Sequence, residues 1–197
     1  MALTLLPSIA VLAIAYGGGN EDISQAAFWE PFRAGGGLEA EGYATLSDMA
    51  ESADLVARGR FVAFEDSREV TGDVRQDVVT YGATTFVLDE VIRGRAGGDR
   101  LVVEFIINER PDRVAEFIAT QAANLPEGEI IVFLRAKRGR GESGLYRLVN
   151  SVGLWTTVND RVQAPLAEIL SDGILPYADE LASIQQLDEL AAHVSGG

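Results

Sequence analysis

Four stretches of this chain are too rich in β-branched and aromatic side chains to read comfortably as helix, and only one segment among them changes period. In Asp54–Phe64, the residues Leu55, Ala57, Gly59, Phe61 and Ala63 share one face and Arg58 and Arg60 the other, which is strand alternation. Val78–Ile92, full of Val, Thr, Tyr and Phe, reads as a long strand. Leu101–Ile107 is almost continuously apolar and predicts a strand buried on both faces. The period then shifts. Val114, Phe117, Ile118 and Gln121 fall at helical spacing, ended by Leu125-Pro126-Glu127-Gly128. Glu129–Arg135 is another buried strand, and Leu145–Val149, Leu154–Val158 and Arg161–Ala164 are shorter ones. A run of strands with one inserted helix points to a mostly-β (α+β) domain, a small closed or partly open barrel of about five to seven strands with peripheral helices.

Helices are expected at both ends of this run. Thr45 and Ser47 can cap a short one reaching Ser52. Near the C-terminus, Ile184, Leu187, Leu190, Ala191 and Val194 form an apolar stripe, with Ser183 as its cap. That stripe needs an apolar partner, and Trp155 is expected to be buried in the barrel or beneath a helix. Gly59, on an apolar face, signals a bulge or tight bend.

Composition narrows the chemistry. The 197 residues are 47% hydrophobic, enough for a core despite a net charge of −14. That charge argues against nucleic acid or an anionic membrane as the main partner. Cysteine is absent, which removes disulfides, thiolate metal sites and Cys nucleophiles. A single His193 excludes a zinc site built on two or three imidazoles of one chain. The sequence implies no cofactor and no metal. Lys137 is the only lysine, within the stretch from Arg93 to Arg147 that holds most of the basic residues.

The N-terminal part has a different character. Ala2–Ala15 is an apolar run too short to span a bilayer, ending in the small-x-small pattern Ala13-Ile14-Ala15. Residues 1–16 are therefore read as an export signal, with mature protein starting at or after Tyr16 and no stable membrane span after processing. Residues 17–44 read as a Gly-rich linker, with Gly17–Gly19 and Gly35–Gly37 flanking an aromatic segment that holds Phe28, Trp29 and Phe32. Residues 45–197 are the barrel domain with its C-terminal helix.

Ala53-Asp54-Leu55-Val56-Ala57-Arg58-Gly59, Val91-Ile92-Arg93-Gly94 and Glu127-Gly128-Glu129-Ile130-Ile131-Val132-Phe133-Leu134 resemble, over residues 45–165, exported bacterial domains with an OB-like, netrin/tissue-inhibitor-of-metalloproteinase-like barrel. The resemblance implies a small OB-like barrel used for binding. The eukaryotic inhibitors present an N-terminal Cys to a protease zinc, and this chain has none.

The expected function is an exported, non-enzymatic binding or protein-interaction module, secreted or in the cell envelope, with another protein as partner. The binding candidates are Phe28, Trp29 and Phe32, which docks or anchors a partner, and the basic loop Arg135, Lys137, Arg138 and Arg140, which suits an anionic ligand or an acidic protein surface. The alternatives are a small secreted hydrolase using carboxylates among Glu104, Glu109, Asp112 and Glu116, or a structural subunit of an extracellular assembly. Glu104 lies in an otherwise buried strand, where an ion pair with an Arg of a neighbouring strand is expected. Asp66, Glu69, Asp73 and Asp77 read as a polar hairpin loop, with a cation site as the lesser reading.

Overall fold

The computed structural model describes residues 22–33, 42–71, 78–158, 160–167, 177–181 and 183–196. Strands β1 (Leu55–Thr71) and β2 (Val78–Gly94) form a long antiparallel hairpin, and β3 (Arg100–Ile107) adds antiparallel to β2. A 3-10 turn at Pro111–Arg113 leads into helix α3 (Val114–Ala123), where the helical period falls in the sequence. Strand β4 (Ile130–Ala136) pairs through Ile130–Leu134 with Leu55–Gly59 of β1. On its other edge, Leu134–Ala136 pair with β5 (Leu145–Leu148) and Ile130–Val132 with β6 (Leu154–Val158), to which β7 (Arg161–Gln163) is joined. The order β1-β2-β3-β5-β4 returns to β1, so five strands form a ring. The closing β3–β5 contact is parallel and consists of Val102↔Leu145 and Val103↔Tyr146. This is a mostly-β fold, a seven-stranded sheet whose ring of five strands makes a partly open barrel, with helices around it and a C-terminal helix.

Bends in β1 close the ring. Its register with β2 shifts after Val56, Arg58, Phe61 and Asp66. At Gly59 a Cβ would collide with the Val87 carbonyl and the Phe86 ring, so the hairpin can be this tight only with glycine. The shift after Phe61 also changes which side chains face inward: Phe64, not Ala63, joins the barrel core.

The strands bury two cores. Leu55, Ala57, Phe61, Phe86, Leu101, Val103, Phe105, Ile130, Val132, Leu134 and Leu154 fill the barrel. On the outer face, Val56, Ile131, Phe133 and Trp155 lie under helices α2 (Leu46–Ser52) and α5 (Leu187–Ser195). Strand β4 is thus buried on both faces, as its sequence requires. Trp155 is 0% exposed and sits beneath the C-terminal stripe, while its neighbour Leu154 points into the barrel. The α2 cap is Thr45: its Oγ1 accepts from Asp48 N at 3.0 Å and Asp48 Oδ2 accepts from Thr45 N at 3.1 Å. His193, in the last turn of α5, lies 2.9 Å from Glu180 in α4 (Ala178–Leu181), and Glu180 also accepts from Leu46 N at 3.2 Å.

Three expectations need correction. Strand β3 is not buried on both faces: Leu101, Val103 and Phe105 enter the barrel core, while Val102 and Ile106 on the other face are 37% and 53% exposed. The polar stretch from Glu65 is not a loop as far as Thr71, since β1 continues through it, its backbone paired to β2, with Asp66 and Glu69 exposed and Ser67 and Arg68 half-buried. Asp66 and Glu69 are therefore strand residues, and Asp73 and Asp77 lie outside the described residues. The C-terminal helix is capped by Gln186 with Glu189, not by Ser183.

Helix α1 (Asp22–Arg33) occupies part of the stretch read as linker, whose Gly17–Gly19 and Gly35–Gly37 lie outside the described residues, as do residues 1–16. Phe28 and Trp29 are 0% and 1% exposed. They enter the barrel core of their own chain, with Phe28 edge-to-face 5.8 Å from Phe64 and Phe32 5.0 Å from Phe105. Among the described residues no helix is long and apolar enough to cross a membrane.

Candidate functional site

The bent β1–β2 hairpin carries Ser67, Arg68 and Tyr81 over the outer face of β3, where Glu104 projects. The Glu104 side chain is 0% exposed and meets three donors. Arg68 grips it with both Nε and Nη2 at 3.0 Å, Lys137 Nζ lies 2.6 Å from Oε2, and Ser67 Oγ donates to Oε1 at 2.5 Å. The expected pairing with an Arg of a neighbouring strand is present, and the only lysine joins it. Burial raises the Glu104 pKa, but hydrogen bonds from Arg68, Lys137 and Ser67 outweigh it and hold the carboxyl down at about 2. The hydrogen bond to Glu104, with a second to Glu142, raises Arg68 above its ordinary value. Glu142 accepts from Arg68 Nη2 at 2.5 Å and from Gly139 N at 2.7 Å, and both bonds lower its pKa. Lys137 Nζ sits 4.0 Å above the Tyr81 ring centre and Arg68 Cζ 4.9 Å from it. The loop after β4 is thereby pinned to the hairpin.

This network forms one wall of a cleft of about 820 Å³. Arg135, Lys137 and Arg138 from the end of β4, Arg147 and Leu148 from β5, and Phe32 and Arg33 from α1 line it together with Glu104, Phe105 and Ile106 of β3. Its basic side chains are held in place. Arg135 Nη2 donates to Tyr43 Oη at 3.1 Å, Arg147 Nη1 to the carbonyls of Leu148 and Val149 at 3.0 Å each, and Arg33 Nε to the Pro165 carbonyl. Asp54 fixes the β4 end by accepting from Ala136 N at 3.0 Å and Arg138 Nη2 at 2.8 Å. Among the described residues the lining holds five basic groups (Arg33, Arg135, Lys137, Arg138, Arg147) and three acidic ones (Asp54, Glu104, Glu142). A net positive cleft in a strongly acidic chain is a local inversion of charge.

Of the residues singled out from sequence, Phe32, Arg135, Lys137 and Arg138 meet at this cleft. Phe28 and Trp29 stand behind it in the core, and Arg140 is exposed on the loop beyond it. Glu109, Asp112 and Glu116 are solvent-exposed and do not line the cleft. Sequence reasoning did not bring Arg33, Tyr81, Glu142 or Arg147 to the site. Among the described residues no three His, Asp or Glu side chains are grouped to hold a metal ion. No family model, curated protein or solved structure matches this chain.

Proposed function

We propose that this chain is an exported, non-enzymatic interaction module that binds an acidic ligand on a partner protein through the cleft between α1, β3 and the β4–β5 end of the barrel. The observation that carries the reading is the excess of basic over acidic side chains lining the cleft, against a net charge of −14 for the chain. Arginine is well suited to this role, because its planar guanidinium meets carboxylates with two parallel hydrogen bonds. The apolar N-terminal run with its small-x-small end supports export, and the resemblance of residues 45–165 to netrin-like barrels implies a binding role. A carboxylate hydrolase is the poorer reading. Glu104 is held ionised by two cations, so at neutral pH it has no proton to give.

The test is fluorescence anisotropy with labelled hexaglutamate and hexalysine peptides. Hexaglutamate is expected to bind, roughly tenfold more weakly when salt is raised from low to high concentration, since exposed charges are screened. Arg138→Glu, at a side chain 80% exposed, is expected to weaken it by about tenfold without unfolding the barrel. Equal binding of both peptides, or of neither, overturns the reading.

A further inference from the structure

The cleft lies where the barrel ring comes apart. Strands β3 and β5 pair only at Val102 and Val103, yet β3 continues to Ile107, bound to β2 on one side. Among the described residues no strand pairs with Glu104–Ile107 on the other side. The consecutive residues Glu104, Phe105 and Ile106 all line the cleft. Successive side chains of a strand point to opposite faces, so three in a row meet one cleft only along the strand's edge. Such an edge presents alternate N–H and C=O groups able to pair with another chain.

Native edges are commonly guarded by a charged side chain. The charge on this segment is Glu104, and Arg68 and Lys137 neutralise it. What remains beside the edge is Ile106, the most exposed large apolar residue described, at 53%. Arg135 and Arg147 line the facing side of the cleft and Arg33 the α1 wall. The site thus offers three things together: unpaired strand edge, an uncovered aliphatic side chain and guanidinium groups.

We propose that the Glu104–Ile107 edge of β3 takes an extended acidic segment of a partner protein as an added strand, with apolar side chains of that segment on Ile106 and carboxylates toward Arg135 and Arg147. A small anion would use the guanidinium groups but leave the edge and Ile106 uncovered. An extended peptide of alternating acidic and apolar residues uses all three, because its side chains alternate with the same period as the strand it joins. This inference rests on the reading of the cleft as a site for acidic ligands.

The experiment titrates the full chain with a labelled hexapeptide alternating glutamate and valine, with the same peptide N-methylated at alternate backbone amides, and with hexaglutamate. The alternating peptide is expected to bind most tightly. N-methylation, which removes ladder donors and leaves every charge, is expected to weaken it about tenfold or more. Amide hydrogen exchange at Phe105–Ile107 is expected to slow on saturation, and Ile106→Asp to lower affinity by about tenfold. If the alternating peptide and its N-methylated form bind equally, strand addition is overturned while the cleft still takes acidic ligands. If none of the three peptides binds, both readings fall.

Discussion

Trp155→Ala is expected to lower the unfolding free energy by about 3–5 kcal/mol, a large part of what a domain of ordinary stability has. The indole is 0% exposed and lies between β4, where Trp155 pairs with Ile131, and the C-terminal helix carrying Leu187, Leu190 and Val194. Truncation opens a cavity lined by a rigid strand and by a helix that is itself held by this contact, so both the transfer loss and the cavity cost apply. Trp155 Nε1 is also buried with no hydrogen-bond partner among the described residues. Trp155→Phe removes that unpaired donor while keeping most of the apolar surface, and it is expected to cost less than half as much as the alanine variant. Urea denaturation followed by far-UV circular dichroism measures both, with the exposed Val62→Ala as a control. An unfolding free energy for Trp155→Ala within about 1 kcal/mol of the parent would overturn the core role.

Trp155 also shows what kind of information the sequence holds. Alternation in Leu154–Val158 put Leu154 and Trp155 on opposite faces, and the apolar stripe near the C-terminus asked for a partner. Two local patterns required burial of both and left open whether Trp155 enters the barrel or lies beneath the helix; the structure joins it to the helix. The helix between β3 and β4 and the doubly buried β4 were legible in the same way, from period and composition. Strand length was less legible. Hydrophobic alternation fades after Phe64, but a backbone ladder to β2 carries β1 on to Thr71 whatever its side chains are. The exposed outer face of β3 was hidden for the opposite reason: an apolar run implies burial only if something covers it, and Ile106 has no such cover among the described residues.

The site was half legible. A carboxylate in an apolar strand made Glu104 conspicuous, and a compact basic loop did the same for Lys137. Their meeting depends on closure of the barrel across 33 residues of sequence, and Arg68 reaches Glu104 across 36. No local pattern reports such distances. For Arg68 the available signal was an arginine in an acidic stretch, which has the same appearance whether its partner is the next turn or a distant strand. Aromatic clustering marked Phe28, Trp29 and Phe32 as a unit; that the unit belongs to its own barrel follows from the bulge that turns Phe64 inward to meet it.

Glu104→Gln tests the centre of the network, and its effect should depend on pH in a defined way. The Glu104 pKa in the folded chain is about 2, below its ordinary 4.5. A carboxylate whose folded pKa is depressed contributes stability that is fully present above the unfolded value and is lost as pH falls through the folded value. The window therefore runs from about pH 4.5 down to about 2. Within it the unfolded chain takes up the proton first, and stability falls as acid is added. The separation of the two values corresponds to about 3 kcal/mol above the window. Glutamine keeps an acceptor for Ser67 and Arg68 but supplies no charge to Lys137, which then stays in a half-buried position without its counter-ion. Unfolding free energies of parent and variant, measured in urea from pH 7 to pH 2, should differ by about that amount at neutral pH and converge through the window. Glu142, which keeps its bonds to Arg68 and Gly139 N in both proteins, cancels largely from the difference. Parallel profiles across the window would mean that the Glu104 charge does not stabilise the closed hairpin. Convergence would mean that the wall of the cleft loosens in acid, through loss of one buried negative charge held by Arg68 and Lys137.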